Sequence, residues 1–146
     1  FSDAPKRKLV RRVVGDGYSP AHVNASDQRH DPDSLLHFMR RLIERYRASA
    51  EMGWGQFELL RHDAPGVLAH TLAGAEGRMV AMHNFSDAAA MVEVTVPGTG
   101  EGCRLVDLLV DGREVETDPS GAVTVPMDGY GYRWFRVIGP EGKRLG

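Results

Sequence analysis

The stretch MVAMHNFSDAAAMVEVTV, residues 79–96, contains two short apolar runs that alternate or continue over the length of a β-strand. The same pattern repeats from residue 56 onward, and turn residues such as Pro97-Gly98 separate the runs. Short strands at this spacing predict an antiparallel β-sandwich of about 90 residues. The predicted strands cover residues 57–62, 67–72, 79–85, 91–96, 104–109, 123–127 and 132–138.

Residues 31–48 have the periodicity of an amphipathic helix. Asp31 suits the N-cap, and Pro32 suits the first helical position, because the N–H that proline lacks has no helical partner there. Leu36 and Phe38 widen an apolar stripe formed by Leu35, Met39, Leu42, Ile43 and Tyr46. This stripe is wider than a small sheet would need, so we expect the helix to lie against a substantial apolar surface.

The composition of the 146 residues is globular, with 42% hydrophobic and 26% charged residues. The formal net charge of −2 argues against a nucleic-acid partner. No apolar stretch is long enough to cross a bilayer, so we also expect no membrane partner. A single cysteine, Cys103, excludes an internal disulfide and a multi-cysteine metal site.

Residues 1–31 are polar and lack periodicity, which predicts a long loop. The loop contains a basic run without the interleaved aromatic residues that stack on bases, so we interpret the run as a solvated face. Its members are Lys6, Arg7, Lys8, Arg11 and Arg12. The chain opens at Phe1 without a methionine or a signal-peptide pattern, and we therefore expect a piece of a longer protein.

The residues that carry chemistry do not form a catalytic or metal-binding pattern. Asp107 and Asp111 are the best carboxylate pair, but Asp111-Gly112 suits a hairpin turn, and we interpret Asp107 as a strand-surface acid or a turn acceptor. No serine lies in a nucleophile elbow, and no histidine lies near Cys103 in sequence. The histidines lack metal-site spacing, although His62 and His70 suit adjacent strands. They are His22, His30, His37, His62, His70 and His83.

The aromatic residues of the second half allow two interpretations. They suit a platform on which sugar rings stack, as in carbohydrate-binding sandwiches. The favoured interpretation places Tyr132 and Trp134 on one face of the last strand, where they fill the sandwich core with their polar tips at its edge. The residues considered are Trp54, Phe57, Tyr130, Tyr132, Trp134 and Phe135.

Six sequence blocks, taken together in their order along the chain, resemble segments of a known protein family. They are VNASDQRHDPDSLL (residues 23–36), LIERYR (42–47), GWG (53–55), VAMHNFS (80–86), DLL (107–109) and GYGYRW (129–134). Together they resemble the C-terminal part of the α-amylase family of glycoside hydrolases. The first two are similar to the approach to, and the end of, the last helix of that family's (β/α)8 barrel, and the others to its C-terminal β-domain. The forms GWG and GYGYRW are most similar to the trehalose synthase branch.

The resemblance implies that residues 1–52 are the final loop and last helix of a (β/α)8 barrel. It implies that residues 53–146 form a C-terminal antiparallel Greek-key β-sandwich, so that the chain is mainly β. The family's enzymes retain anomeric configuration with an Asp nucleophile, a Glu acid/base and a third Asp, all on barrel strands upstream of Phe1. Calcium sites are likewise expected upstream.

The family motifs that carry these catalytic residues and calcium ligands have no match in this chain. No catalytic residue and no metal ligand is therefore assigned. The substrate-binding residues are unknown, and no cofactor is expected in this chain. Arg11, Arg12 and Tyr18 would border the barrel's pocket, but they receive no role.

The resemblance thus implies the non-catalytic C-terminal portion of a trehalose synthase-like enzyme, which isomerises maltose to trehalose by intramolecular α-glucosyl transfer. The sandwich would stabilise the upstream barrel of the same polypeptide, and the parent enzyme would act on an α-glucan or disaccharide in the cytoplasm. This chain alone is expected to be inactive. Two alternatives stay open: the C-terminal portion of an α-glucosidase or oligo-1,6-glucosidase, and a stand-alone carbohydrate-binding β-sandwich.

Overall fold

The computed structural model describes residues 16–19, 22–110 and 112–145. A short 3₁₀ turn at Asp16–Tyr18 precedes helices α1 (Ala25–His30), α2 (Leu35–Arg47) and α3 (Glu51–Trp54). The strands that follow are β1 (Gln56–Leu59), β2 (Val67–Gly74), β3 (Gly77–Asn84), β4 (Ala90–Thr95), β5 (Arg104–Asp107), β6 (Glu114–Glu116), β7 (Ala122–Met127) and β8 (Tyr132–Ile138). The mainly β, antiparallel fold class predicted from the sequence is confirmed. The basic run at residues 6–12 lies outside the described residues.

The helical region begins earlier than predicted, because residues 25–30 form α1 where the sequence predicts loop. Asn24 caps this helix, and its side-chain oxygen accepts a hydrogen bond from the Asp27 backbone N–H at 2.8 Å. Asp31 is therefore the C-cap of α1, and its assignment as N-cap of the following helix is wrong. Its carboxylate instead accepts the Asp33 N–H at 3.0 Å in a turn.

Helix α2 starts at Leu35, three residues after Pro32, the predicted first helical position. The Ser34 hydroxyl donates to the Gln28 carbonyl at 2.7 Å, and the Gln28 side chain accepts the Leu36 N–H at 3.0 Å. No residue of α2 is buried in the described part of the chain, and Leu35, Ile43 and Tyr46 are exposed. The expected apolar surface opposite this stripe stays a prediction.

The chain divides into two compact units, one ending at Glu44 and one beginning at Arg45. All described strands belong to the second unit. The domain boundary predicted between residues 52 and 53 stays a prediction.

The strands form a six-stranded sheet in the order β1-β2-β3-β8-β5-β6 and a two-stranded sheet of β4 and β7. Every pairing is antiparallel. The chain crosses to the smaller sheet between β3 and β4 and again between β6 and β7. It returns to the larger sheet at β5 and at β8. Greek-key connectivity, as a named pattern, stays a prediction.

The core of the second unit lies between the two sheets. It takes alternate residues of β2, β3, β4, β5, β7 and β8, as the pleat requires, and its largest side chain is the fully buried Phe135. The other strand residues of the core include Ala69, Val80, Met82, Val92, Val94, Leu105, Val123, Val125, Met127 and Val137. The sandwich therefore has an apolar core of its own.

Three strand predictions need correction. The strand predicted at 104–109 ends at Asp107, whose carboxylate accepts the Leu109 N–H in the turn that follows. The strand predicted at 57–62 ends at Leu59, and only the Leu60 N–H continues the pairing, with the Ala69 carbonyl at 2.9 Å. The strand β6, Glu114–Glu116, was not predicted. Its three residues include two acidic ones at a sheet edge, so it has too few apolar positions to show a strand pattern.

Candidate functional site

The outer face of the six-stranded sheet, which points away from the two-stranded sheet, carries a row of aromatic rings. Neighbouring residues in a strand point to opposite faces, and Ala69 and Met82 point into the core. His70 and His83 therefore lie on the outer face. We call Phe57, His70, His83 and Phe85 the aromatic row.

Successive rings of the aromatic row are close enough to interact. The centroids of Phe57 and His70 are 5.0 Å apart, those of His70 and His83 are 6.4 Å apart, and those of His83 and Phe85 are 6.3 Å apart. The two imidazoles are nearly parallel, with an interplanar angle of 8°. Phe57 and Phe85, at the ends, are 56% and 67% exposed, so the row presents apolar surface to its surroundings.

The hydrogen bonding at the centre of the row favours neutral imidazoles. The indole Nε1 of Trp134 donates to Nε2 of His83 at 3.5 Å, and Nε2 can accept only without its own proton. Nδ1 of His70 is buried and has no hydrogen-bond partner among the described residues. Burial lowers the pKa of His70, and the neighbouring His83 lowers it further; burial also lowers the pKa of His83.

Helix α3 covers the adjoining end of the same outer face. It packs over β2 and β3, and the buried Glu51 side chain lies 3.8 Å from Nε of Arg136 on β8. The Arg136 guanidinium also donates to the Ala48 carbonyl at 3.1 Å and to the Ser49 hydroxyl at 2.9 Å. The ion pair holds α3 against the sheet, and the two hydrogen bonds hold Ala48 and Ser49, which precede α3, against the same strand.

The predicted carboxylate pair does not form a described site. Asp107 is buried, and its Oδ1 accepts the backbone N–H groups of Leu109 and Val110 at 2.8 and 3.1 Å. Its Oδ2 lies 3.9 Å from Nε of Arg133. Asp107 is therefore a turn acceptor, as one of the two interpretations proposes, and not a strand-surface acid. Asp111 lies outside the described residues.

The histidines pair differently from the prediction. His62 lies beyond the end of β1, and His70 stacks instead on His83, a contact that was not predicted from the sequence. His70 and His83 lie on the same face of the hairpin formed by β2 and β3. The sequence pattern gives the face of each residue, but only the register of the hairpin shows that the two side chains are neighbours. His30 and His37 contact the backbone carbonyls of Ser26 and Arg29. The described residues contain no group of three or more His, Cys, Asp or Glu side chains that could hold a metal ion.

The six aromatic residues considered above do not share one surface, although Phe57, Tyr132 and Trp134 all lie on the outer face of the six-stranded sheet. Phe135 is in the core, whereas Tyr132 and Trp134 alternate with it on the outer face, so their predicted place in the core is wrong. Trp54 on α3 is 92% exposed, and Tyr130 lies in a turn with φ 53°. These six residues do not form one described platform.

The described surface also has a groove of about 590 Å³ beside strand β4. Its lining is mostly polar or charged and contains no Phe, Tyr or Trp ring, so it lacks the stacking surface that sugar rings favour. The lining residues are Arg61, His62, Asp63, Ala64, Met91, Glu93, Val94 and Thr95.

Cys103 is buried. None of the described helices is both long and apolar enough to span a membrane.

A family model described as the sucrose hydrolase-like C-terminal domain matches residues 77–136. The trehalose synthase of Pimelobacter sp. (strain R48) is 30% identical over 146 residues, which cover 97% of this chain and 25% of that protein. The probable oligo-1,6-glucosidase 2 of Bacillus subtilis (strain 168) is 27% identical over 71 residues, or 49% of this chain and 13% of that protein. The chain thus spans a quarter or less of these relatives.

Solved structures share the fold. An α-amylase from Anoxybacillus has a TM-score of 0.61 at 19% identity over 77% of this chain and 23% of that one. The trehalose-6-phosphate hydrolase of Bacillus licheniformis has a TM-score of 0.61 at 20% identity over 85% of this chain and 21% of that one. The isomaltulose synthase of Erwinia rhapontici NX5 has a TM-score of 0.60 at 16% identity over 86% of this chain and 21% of that one.

Proposed function

We propose that this chain is the non-catalytic C-terminal portion of a trehalose synthase-like enzyme of the α-amylase family of glycoside hydrolases, and the match of residues 77–136 to the sucrose hydrolase-like C-terminal domain supports this. The observation that carries the proposal is the 30% identity with a trehalose synthase over 97% of this chain. The parent enzyme would convert maltose to trehalose through a covalent glucosyl-enzyme and would re-form the bond with the retained glucose while water is kept out.

In this proposal the sandwich stabilises the catalytic barrel of the same polypeptide. It has its own apolar core, yet it exposes Phe57, Leu59 and Phe85 on its outer face. Covering such residues contributes roughly 25 cal/mol for each Å² of apolar surface that leaves water, so a lid of this kind adds several kcal/mol to the stability of the whole. The chain itself would supply neither a catalytic residue nor a cofactor, and the enzyme would work in the cytoplasm.

Product analysis tests the proposed reaction. The DNA upstream of the Phe1 codon is read, the whole polypeptide is expressed, and its products from maltose are separated from those of the 146-residue chain. We expect trehalose from the whole polypeptide and no turnover by the 146-residue chain, which is the matched control. Maltose turnover by the shorter chain would contradict its non-catalytic role.

A hydrolase parent is the second candidate, and the similarity to the Bacillus subtilis oligo-1,6-glucosidase favours it. The same product analysis separates the two, because a hydrolase releases glucose alone. The stand-alone sugar-binding module is tested by titrating the 146-residue chain with maltose while tryptophan fluorescence is followed. Saturable quenching that disappears in Trp54→Phe or Trp134→Phe would support binding and locate it.

A further inference from the structure

The two-stranded sheet has two edges, because β4 and β7 pair only with each other among the described strands. In an antiparallel pair, alternate residues of each strand direct their N–H and C=O groups away from the partner strand. At a sheet edge these groups are a template for pairing with a further strand, unless something blocks them. Whether an edge accepts a strand thus depends on the groups that it directs outward.

The partners of Thr95 and Met91 on β7 show where the backbone groups of these two residues point. Ala122, opposite Thr95, donates its N–H to Oδ1 of Asp118 and accepts the Asp118 N–H, each at 2.9 Å, so it does not bond to β4. Pro126, opposite Met91, has no N–H to donate. Neither pair is therefore a hydrogen-bonded pair, and both β4 residues direct their backbone groups away from β7.

Glu93 lies between Met91 and Thr95 and shares their orientation, because the alternation has a period of two. The Val96 N–H, one residue beyond the strand, donates to the Gly121 carbonyl at 2.9 Å, as the same alternation requires. Outside the strand ladders, no backbone hydrogen bond of the described residues involves Met91, Glu93 or Thr95. The β4 edge thus presents the backbone groups of three alternate residues for pairing.

The edge of β7 is blocked at two of its three outward positions, which are Ala122, Thr124 and Pro126. Ala122 is already bonded to Asp118, and Pro126 lacks an N–H, so an added strand has no ladder to follow. By contrast, β4 has neither a proline nor a bulge, since its register with β7 is continuous. Of the two edges, the one formed by β4 is open.

The open edge of β4 borders the groove described above, which has a volume of about 590 Å³. Residues 61–64 form its other wall, and none of the described β7 residues lines it, so the groove lies on the open side of β4. Its charged side chains, Arg61, Asp63 and Glu93, form no ion pair in the described part of the chain. Nδ1 of His62 is buried and has no hydrogen-bond partner within the described ranges. The groove therefore combines an unpaired strand edge with unpaired polar side chains.

We propose that this groove binds an extended peptide segment of another protein, which adds to β4 as an antiparallel strand. The main chain of the segment pairs with the β4 edge, and its side chains give specificity. The residue opposite Glu93 is Lys or Arg, because facing cross-strand positions favour opposite charges. The residues opposite Met91 and Thr95 are uncharged, and those between are small and aliphatic, since Ala64 and Val94 line the inner side. The proposal goes beyond the proposed function and does not depend on it.

A second copy of this chain fits the edge less well. When β4 pairs with β4 of another copy in antiparallel fashion, one register pairs all three outward residues. That register places Glu93 opposite Glu93 of the other copy, and like charges directly opposite each other are destabilising. A sugar also fits less well, because no Phe, Tyr or Trp ring lines the groove. A peptide with a basic central residue avoids both difficulties.

Peptide binding to the 146-residue chain tests the proposal, with a capped fluorescent peptide of sequence Thr-Val-Lys-Val-Thr as the probe. We expect saturable binding, and about fivefold weaker binding of the matched peptide with a central Glu. Glu93→Lys should reverse this preference, whereas Glu101→Lys, the same change at an exposed residue outside the groove, should keep it. No saturable binding, or an unchanged preference in Glu93→Lys, would overturn the proposal.

Methylation of the peptide backbone separates strand pairing from charge attraction. The central Lys of the probe, opposite Glu93, directs its N–H toward β4, whereas the flanking Val residues direct theirs away. Methylation of the Lys amide nitrogen should weaken binding at least about tenfold, and methylation of a Val amide nitrogen, the matched control, less than about threefold. Equal losses would show that the peptide is not held as a strand of the sheet.

Amide hydrogen exchange of the chain shows where the peptide lies. Saturating peptide should slow exchange at the outward amides of Glu93 and Thr95 at least about tenfold, because they become hydrogen-bonded. The amide of Thr124, on the other edge, should exchange at an unchanged rate. Binding without this protection would place the peptide elsewhere and overturn the proposal.

The same exchange measurement distinguishes the other occupants. Protection of Glu93 and Thr95 without peptide, rising with protein concentration, would assign the edge to a second copy. Protection without peptide in the whole polypeptide would assign it to another part of the same polypeptide, and protection by maltose would assign it to a sugar. Each of these results would overturn the proposal. None depends on the product formed from maltose, so this proposal and the proposed function fail separately.

Discussion

Phe135 and Phe85 are the same residue type in opposite environments. Phe135 is fully buried between the sheets, whereas Phe85 is 67% exposed at the end of the aromatic row. Phe135→Ala should lower the free energy of unfolding by about 3–5 kcal/mol, because it removes a large side chain from a packed core and leaves a cavity. Urea unfolding of the 146-residue chain measures this change.

Phe85→Ala is the matched control for that measurement. It should cost less than about 1 kcal/mol in the 146-residue chain, since most of the ring is already in contact with water. Equal losses for the two variants would mean that the outer face is packed within this chain, contrary to the exposure of Phe85.

The ion pair of Glu51 and Arg136 determines how α3 is held against the sheet. Glu51→Gln should lower the free energy of unfolding by about 2–4 kcal/mol, because it leaves the largely buried Arg136 without its counter-charge. The double variant Glu51→Gln/Arg136→Met should cost less than the sum of the single variants, since neither charge is then left alone.

The exposed helical pair Arg40 and Glu44, with Nε and Oε1 at 3.1 Å, provides the control. The same substitutions at this pair should give a coupling energy of about 0.5 kcal/mol or less. Additive losses at Glu51 and Arg136 would show that the two side chains do not stabilise each other.

Strands β2 and β3 bring His70 and His83 together, and this has a consequence for pH. Both folded-state pKa values lie below the ordinary value of 6.5, so the unfolded chain binds more protons than the folded chain just below that pH. The stability of the folded chain is therefore complete above pH 6.5 and falls as the pH drops from 6.5 through the lowered values. Chemical unfolding at a series of pH values measures this dependence.

The variant His70→Gln/His83→Gln should show a shallower loss of stability over the same range. Curves for the wild-type chain and the variant that run parallel below pH 6.5 would contradict the assignment of this loss to the two imidazoles.

At the scale of the whole molecule, the apolar core belongs to one part of the chain. The buried core cluster runs from Leu60 to Val137 and lies within the unit that begins at Arg45. Residues 45–146 alone should therefore unfold in one cooperative transition, with a midpoint within about 5 °C of that of the 146-residue chain. Thermal unfolding followed by circular dichroism measures both midpoints.

The 146-residue chain is the control for that truncation. A non-cooperative transition of residues 45–146 would mean that the first unit contributes to the stability of the sandwich, and the core would then not be self-sufficient.

Local patterns in the sequence predicted the antiparallel strands and most of their positions, because alternation along a strand and turn residues are local properties. They failed at α1 and β6. Asn24 and Asp27 form the N-cap of α1, but the six residues of this helix carry no apolar stripe that would predict it. Strand β6 has only three residues and lies at a sheet edge, so it shows no strand pattern. Helix α2 was recognisable from its stripe, although its start shifted when Asp31 ended the preceding helix.

Which side chains share a face depended on contacts between strands that are distant in sequence. Tyr132 and Trp134 are large aromatic residues of a kind often found in cores, yet the pleat directs them outward because Phe135 and Val137 point inward. The stacking of His70 on His83 depends on the register of β2 and β3, and the pairing of Glu51 with Arg136 joins residues far apart in the chain. Local pattern determines a strand, but the register between strands determines a surface, because it depends on residues that are distant in sequence.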